Sequence, residues 1–339
     1  MRALVYEGAW QMPLREIENP TPEPHEVVVA VKAVGICGSD VHGYTGSTGR
    51  RYPGIAMGHE FSGTISAIGP NVSAYQIGDD VIVDPMLTCG VCVMCQAGRT
   101  NVCLQRTMIG MHQHGAYAEA VRVPQRQLHR KPAGLSWERA ALIEPLSVAL
   151  HAINQTPFLV GESVAIIGTG PIGLLALMVA RLKGAGTIIV TDRSAHRLEL
   201  AHKLGADLVV DVGVHDPITA VQAATGGRGA DAAIEAVGIA PTVQQALAVT
   251  RIGGNITWIG NSAPEVSLNM QHVVTREIAI RGVYAFTSAE FEQSISLLVS
   301  GRLNVDLLIE RIAPLADGPQ LIHDLAKGTL DAVKVVLNP

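Results

Sequence analysis

Along residues 1–135 apolar and polar positions alternate in short runs cut by glycine and proline. RALVYEG, EVVVAVKAVGI, GHEFSGTISAIG, DDVIVDP and GAYAEAVRVP are runs of this kind, and together they predict an irregular, mostly β domain. From Ser163 the rhythm changes. SVAIIG, TIIVTD, ADLVVDV, ADAAIEAVG, NITWIG and AIRGVY are short apolar runs rich in β-branched residues. Between the earlier ones lie helical patterns: PIGLLALMVARLKG, SAHRLELAHKLG and APTVQQALAVTRIG. Such alternation predicts a doubly wound α/β domain whose parallel strands are buried on both faces. After about residue 284, SAEFEQSISLLVSGRLN predicts a helix stopped by glycine, and DAVKVVLNP a final strand. No internal repeat and no low-complexity segment interrupts this order.

Composition narrows the picture. A chain of 339 residues suits two domains at roughly 150 residues each. A net charge of −5 with no basic cluster argues against nucleic acid as a partner. The pairs Arg50-Arg51 and Arg130-Lys131 are expected to be solvated. MRALVYEGAW has no apolar h-region, so secretion by a signal peptide is not expected. The stretch VAIIGTGPIGLLALMVA is broken by Gly and Pro and reads as strand, turn and helix rather than a membrane span. Five cysteines are too few for a disulfide scaffold and fit a reducing, cytoplasmic compartment.

The segment VAIIGTGPIG places Gly168, Gly170 and Gly173 in G-x-G-x-x-G order after a strand and at the opening of a helix. The first glycine serves the tight turn, the second lets backbone approach a pyrophosphate, and the third allows close helix–strand packing. Pro171 and Ile172 open the helix, whose free N–H groups face the phosphates. Asp192 ends TIIVTD, where its carboxylate can take the adenosine ribose diol and repel a 2′-phosphate. Arg193 and Arg197 raise the NADP alternative, and Asp192 favours NAD. Val237 and Ile259, at the ends of later strands, complete the candidate cofactor site.

CGVCVMCQAGRTNVC sets Cys89, Cys92, Cys95 and Cys103 within fifteen residues. Four thiolates so close can close a tetrahedral structural zinc site. A ferredoxin-type cluster would need a C-x3-C-P ending, and here seven residues separate the last two cysteines and Leu104 follows. Two other segments, GICGSDVHGY and GHEFSG, hold Cys37, Ser39, Asp40, His42, His59 and Glu60 on glycine-flanked loops. Cys37 and His59 can be two of the three protein ligands of a catalytic zinc, leaving a third to find. Glu144 is an acid inside the apolar run AALIEPLSVALHA, where it needs a compensating partner. Pro145 disfavours helix at Glu144 and suits the first position of the next helix.

With these motifs together, the chain resembles the zinc-dependent medium-chain alcohol and polyol dehydrogenases, nearest the sorbitol dehydrogenase branch. GHEFSGTISAIGPNV, CGSDVH, the four-cysteine segment, ALIEPLSVALHA and GTGPIG carry the resemblance, which covers essentially the whole chain. It implies a GroES-like catalytic domain over 1–146 with a structural zinc lobe near 86–106. A Rossmann domain over 147–283 follows, and 284–339 returns to the catalytic domain. It also implies Cys37 and His59 as catalytic zinc ligands, with Glu144 where classical alcohol dehydrogenases have a cysteine. Glu60 is the neighbouring acid that binds zinc directly or through water. Asp40 is implied to hold the ligating histidine, Ser39 to take the substrate proton, and His42 to end the relay.

The chain departs from mammalian-type sorbitol dehydrogenases at three places. Ala285-Phe286 replaces an arginine–tyrosine pair, Gly43 replaces an aromatic after the relay histidine, and all four lobe cysteines are present. His112 and His114 of IGMHQHGAYAE read as pocket or surface residues rather than a third metal site. The reading is an enzyme that moves hydride from a secondary alcohol of a small polyhydroxylated substrate to NAD, with one catalytic and one structural zinc. Its alternatives are a sugar acid, a sugar phosphate or an amino alcohol such as threonine as substrate, or a non-catalytic NAD-binding protein. A homodimer or homotetramer is expected, joined through the Rossmann sheet edge near NITWIG.

Overall fold

A computed structural model describes residues 1–339, which form two units. One comprises Met1–Glu144 and Thr287–Pro339, the other Pro145–Phe286.

In the first unit a seven-stranded sheet is built on the strand Glu26–Gly35. That strand pairs antiparallel with Glu60–Ile68, Ala120–Pro124 and the late strand Lys334–Asn338. Val27, Val29 and Val31, two residues apart, enter a core shared with Phe61, Ile65, Val81, Tyr117 and Val121. Each such burial is worth about 1.5–3 kcal/mol. The run GAYAEAVRVP is strand only from Ala120. Its first half is pinned on two sides instead, since the Tyr117 amide donates to the Met57 carbonyl and the Leu4 amide to the Tyr117 carbonyl.

The second unit is the expected doubly wound sheet. Its six parallel strands lie in the order Leu208–Asp211, Ile188–Asp192, Val164–Ile167, Ala230–Glu235, Thr250–Trp258 and Ala279–Gly282. The chain starts in the middle, winds outward one way, then returns to wind the other way, which leaves a crevice beside the first strand. Val164–Ile167 is buried throughout, as a strand covered on both faces must be. The helix Pro171–Lys183 follows it, with proline in its first turn and Gly184 as a left-handed cap at φ 98°.

Two expectations are corrected. NITWIG belongs to the penultimate strand, and the edge is Ala279–Gly282, because AIRG adds a further parallel strand outside it. Glu144 lies inside the helix Ile143–Gln155 rather than before it. Pro145 is the third residue of that helix, where its missing N–H has no intrahelical acceptor to lose, so the helix begins ahead of the proline.

Candidate active site

Two strand ends build the metal site. Gly35 lies opposite Glu60 in the register of Glu26–Gly35 with Glu60–Ile68. The chain leaving the first strand delivers Cys37 as the cap of the helix Gly38–Tyr44, while the chain entering the second delivers His59. Ligand atoms of Cys37, His59 and Glu60 consequently lie within 4.8 Å of one another. Gly35 is required here by contact. A Cβ at that position would sit 2.2 Å from Oε2 of Glu60. A thiol, an imidazole and a carboxylate converging at this distance are a donor set suited to zinc.

Buried charges surround this set. Lys334, reaching in from the last strand, donates through Nζ to both Glu60 oxygens at 3.0 and 2.7 Å and to the Ile36 carbonyl at 3.1 Å. Asp40 is fully buried. Burial alone would raise its pKa, but His59 and Arg51 beside it hold the carboxyl well below the usual range. Its Oδ2 accepts from the Tyr117 hydroxyl at 2.9 Å and pairs with Nδ1 of His59 at 3.3 Å. Burial would depress the His59 pKa, yet Asp40 and Cys37 raise it well above the ordinary value. The pocket thus favours a positive charge.

Glu144 stands outside the three-residue set. Its carboxyl is buried in the same field, pushed up to about 8 by desolvation and by Glu60 and Asp84, against the pull of His59 and Lys334. Asp84, at the end of the strand Asp80–Val83, is raised to about 7 by burial although it accepts from the Met86 amide.

The helix Gly38–Tyr44 sorts its polar residues by face. Asp40 points inward, whereas Ser39 and His42, three apart, share the exposed side. Partial packing of the His42 ring lowers its pKa. Arg51 corrects the expectation of a solvated basic pair. Its side chain is only 4% exposed, and one terminal nitrogen bonds Asp40 Oδ1 at 2.9 Å. The sequence reading missed Arg51, Tyr117, Lys334 and Asp84. Only Lys334 left a signal, as a lysine in the apolar strand AVKVVLN. His112 and His114 are spent locally, their Nδ1 atoms accepting from the Met108 and Ala56 amides.

The four lobe cysteines also converge, all sulfurs within 4.8 Å. Sγ of Cys103 lies 3.5 Å from that of Cys89 and 3.9 Å from that of Cys92. The Cys89 and Gln105 amides each donate to Cys103 Sγ at 3.4 Å. Such N–H groups favour thiolate: the Leu104 and Cys95 amides bring Cys92 down to about 6. This donor set fits an all-thiolate zinc.

In the second unit Gly168 turns at φ 95°, and a Cβ on Gly173 would meet the Gly168 carbonyl at 1.9 Å. At Gly170 the same test meets nothing within 4 Å, which leaves room above the backbone. Val237 lies against Gly168, and the Ile259 amide bonds the Glu235 carbonyl. The hydroxyl of Thr169, buried in the turn, has no protein partner. Asp192 accepts from the amides of Thr169 at 2.6 Å, Arg193 at 2.7 Å and Ser194 at 3.0 Å. Ser194, not Asp192, caps the next helix, by accepting from the Arg197 amide. An open glycine turn with an orphaned hydroxyl and an acid at the next strand end fits a dinucleotide.

Residues 23–133 match the alcohol dehydrogenase GroES-like domain, and residues 171–300 match the zinc-binding dehydrogenase domain. The chain belongs to the zinc-dependent medium-chain dehydrogenases. Among individual proteins it is similar to a sorbitol dehydrogenase of Halalkalibacterium halodurans, at 35% identity over 100% of this chain and 99% of the relative. It is also similar to an L-threonine 3-dehydrogenase of Bacillus velezensis, at 34% over 100% and 99%. A zinc-binding dehydrogenase of Sinorhizobium meliloti 1021 solved with NADP has the same fold, with a TM-score of 0.92 and 32% identity over 100% and 99%. No helix of the chain is long and apolar enough to cross a membrane.

Proposed function

We propose that the chain is a zinc-dependent dehydrogenase of polyols or sugar alcohols that passes a hydride from a secondary alcohol to NAD. The observation that carries this reading is the convergence of Cys37, His59 and Glu60 at the start of the short helix that carries Ser39, Asp40 and His42. A catalytic zinc held by Cys37 and His59, with Glu60 or Glu144 as the acid partner, would supply Lewis-acid polarisation of the substrate oxygen. Asp40 keeps His59 oriented. Ser39 takes the substrate proton, and His42, on the exposed side of the same helix, carries it to solvent. Cys89, Cys92, Cys95 and Cys103 would hold a second, structural zinc.

Gly168, Gly170, Pro171, Ile172 and Gly173, flanked by Val237 and Ile259, would hold the cofactor, and Asp192 would take its ribose. Three amides already occupy the Asp192 carboxylate, which has about four acceptor sites, so one remains for a ribose hydroxyl. Its charge disfavours the 2′-phosphate of NADP, despite the proximity of Arg193 and Arg197. The protein is read as cytoplasmic and as a homodimer or homotetramer, for which Ala279–Gly282 offers an unpaired strand edge. A threonine-type amino alcohol, sugar acid or sugar phosphate is the second reading, favoured by the likeness to a threonine dehydrogenase and by the departures at Gly43 and Ala285-Phe286.

The test follows NADH and NADPH formation over sugar alcohols, sugar acids, sugar phosphates, diols and L-threonine, with and without a chelator. The reading expects NADH formation on a polyol, lost on chelation. Turnover on none of them, or turnover indifferent to metal removal, overturns it.

A further inference from the structure

We propose that Arg51 is a positioning residue of this active site, acting through Asp40 and Ser39, and that Gly43 is glycine to give it room. The inference rests on the dehydrogenase reading above. Arg51 lies in a surface loop, yet its side chain folds back over the helix Gly38–Tyr44 and is 4% exposed. One terminal nitrogen meets Asp40 Oδ1 at 2.9 Å, the Ser39 carbonyl at 3.3 Å and Ser39 Oγ at 3.4 Å. The first contact is a short, charge-assisted bond between buried groups and dominates. The other two are long and serve to aim rather than to bind.

The consequences run in two directions. Toward the metal ligands, Arg51 holds one Asp40 oxygen while the other meets Tyr117 and His59. The carboxylate cannot rotate without losing a partner, so the His59 ring is braced through it. Toward the proton path, an N–H directed at Ser39 Oγ takes one of its lone pairs. The other lone pair is left to accept from substrate, and the Ser39 O–H to donate onward. Arg51 thereby gives the hydroxyl a direction.

Two further observations separate this from an ordinary ion pair. Nε of Arg51 is buried and has no partner, so the side chain is held where its own hydrogen bonding is incomplete. A Cβ on Gly43 would lie 2.6 Å from Cγ, 3.3 Å from Cδ and 3.0 Å from Nε of Arg51, so the middle of the side chain must shift to admit it. Any residue but glycine at 43 displaces the guanidinium. The arginine and the glycine are thus one device.

The experiment measures initial rates on the best polyol, with zinc supplied, for wild type, Arg51→Ala, Arg51→Lys and Gly43→Ala. The expected result is a kcat loss of about 10–100-fold in Arg51→Ala, with KM changed less than threefold and metal content unchanged. Added guanidinium ion restores part of that kcat, Arg51→Lys falls between, and Gly43→Ala reproduces the loss with Arg51 still present. Wild-type rates in Arg51→Ala, or losses that only track metal content or folded fraction and do not respond to guanidinium, overturn the proposal. Failure of the underlying dehydrogenase reading looks different, since wild type itself then turns over nothing.

Discussion

The two candidate metal sites of the first unit are opposites in construction. The four-cysteine lobe draws all its ligands from fifteen consecutive residues, and local amides steady its sulfurs. The Cys37–His59–Glu60 site draws on three strand ends and a loop, and every charge in it is answered by another from elsewhere in the chain. Glu60 faces Lys334, 274 residues away, and Asp40 faces Arg51. A structural site needs only closure, so similar ligands on one loop suffice. A catalytic site must leave its metal reactive, so unlike ligands are set in a balanced field that the sheet holds rigid.

Crossed substitutions give the largest test of this contrast. Cys37→Ala is expected to lower turnover by at least ~10³-fold, roughly 4 kcal/mol on the barrier, while the lobe keeps its metal. Cys103→Ser is expected to lose the lobe's metal and leave the initial rate within about tenfold. Metal content per chain and initial rates on fresh protein check both. Loss of both metals from either variant breaks the idea that the sites are independent.

The next effect concerns the balancing charges. Lys334→Met leaves Glu60 buried without its cation, which costs about 3–5 kcal/mol in the metal-free protein. Denaturant unfolding with and without zinc measures it, and a loss under about 1 kcal/mol would mean that Glu60 is better solvated than its surroundings imply.

The smallest effect sharpens the border between the two regions, where Asp84 leads from the sheet toward the lobe. The folded Asp84 keeps its proton up to about pH 7, whereas the unfolded chain releases it near pH 4. Its contribution to stability is therefore full below about pH 4 and lost as pH rises through 7. Asp84→Asn, which keeps an acceptor for the Met86 amide, is expected to stabilise by about 1–2 kcal/mol at pH 8.5 and to be neutral at pH 4. Equal urea midpoints for the two proteins at pH 8.5 would remove Asp84 as a titrating group.

The same contrast explains what could be read from the chain. Cys89 to Cys103 and the G-x-G-x-x-G turn are local patterns whose chemistry is written in their spacing, and the alternating runs gave the sheet class directly. Cys37 and His59 lie 22 positions apart and became a pair only by resemblance, since their meeting depends on the register of Gly35 with Glu60. Arg51 read as solvent-facing because charge pairs on loops usually are, and nothing local reveals that the loop folds back over a glycine. The helix start at Ile143 was missed because the residue before a proline usually leaves helical backbone, whereas here the first turn runs through Glu144 into Pro145.

The last strand gives this arrangement a direction in time. Lys334 leaves the ribosome after Cys37, His59, Glu60 and all of Pro145–Phe286. The strand Glu26–Gly35 likewise waits for Lys334–Asn338 to fill one of its flanks. During synthesis the second unit can close on its own contiguous residues while the first stays open at its most charged point. The nascent metal pocket is therefore an unfinished one, with Glu60 exposed to water and to ions until the final strand docks. In that interval a thiol, an imidazole and a carboxylate are together before the lysine that neutralises Glu60 has arrived.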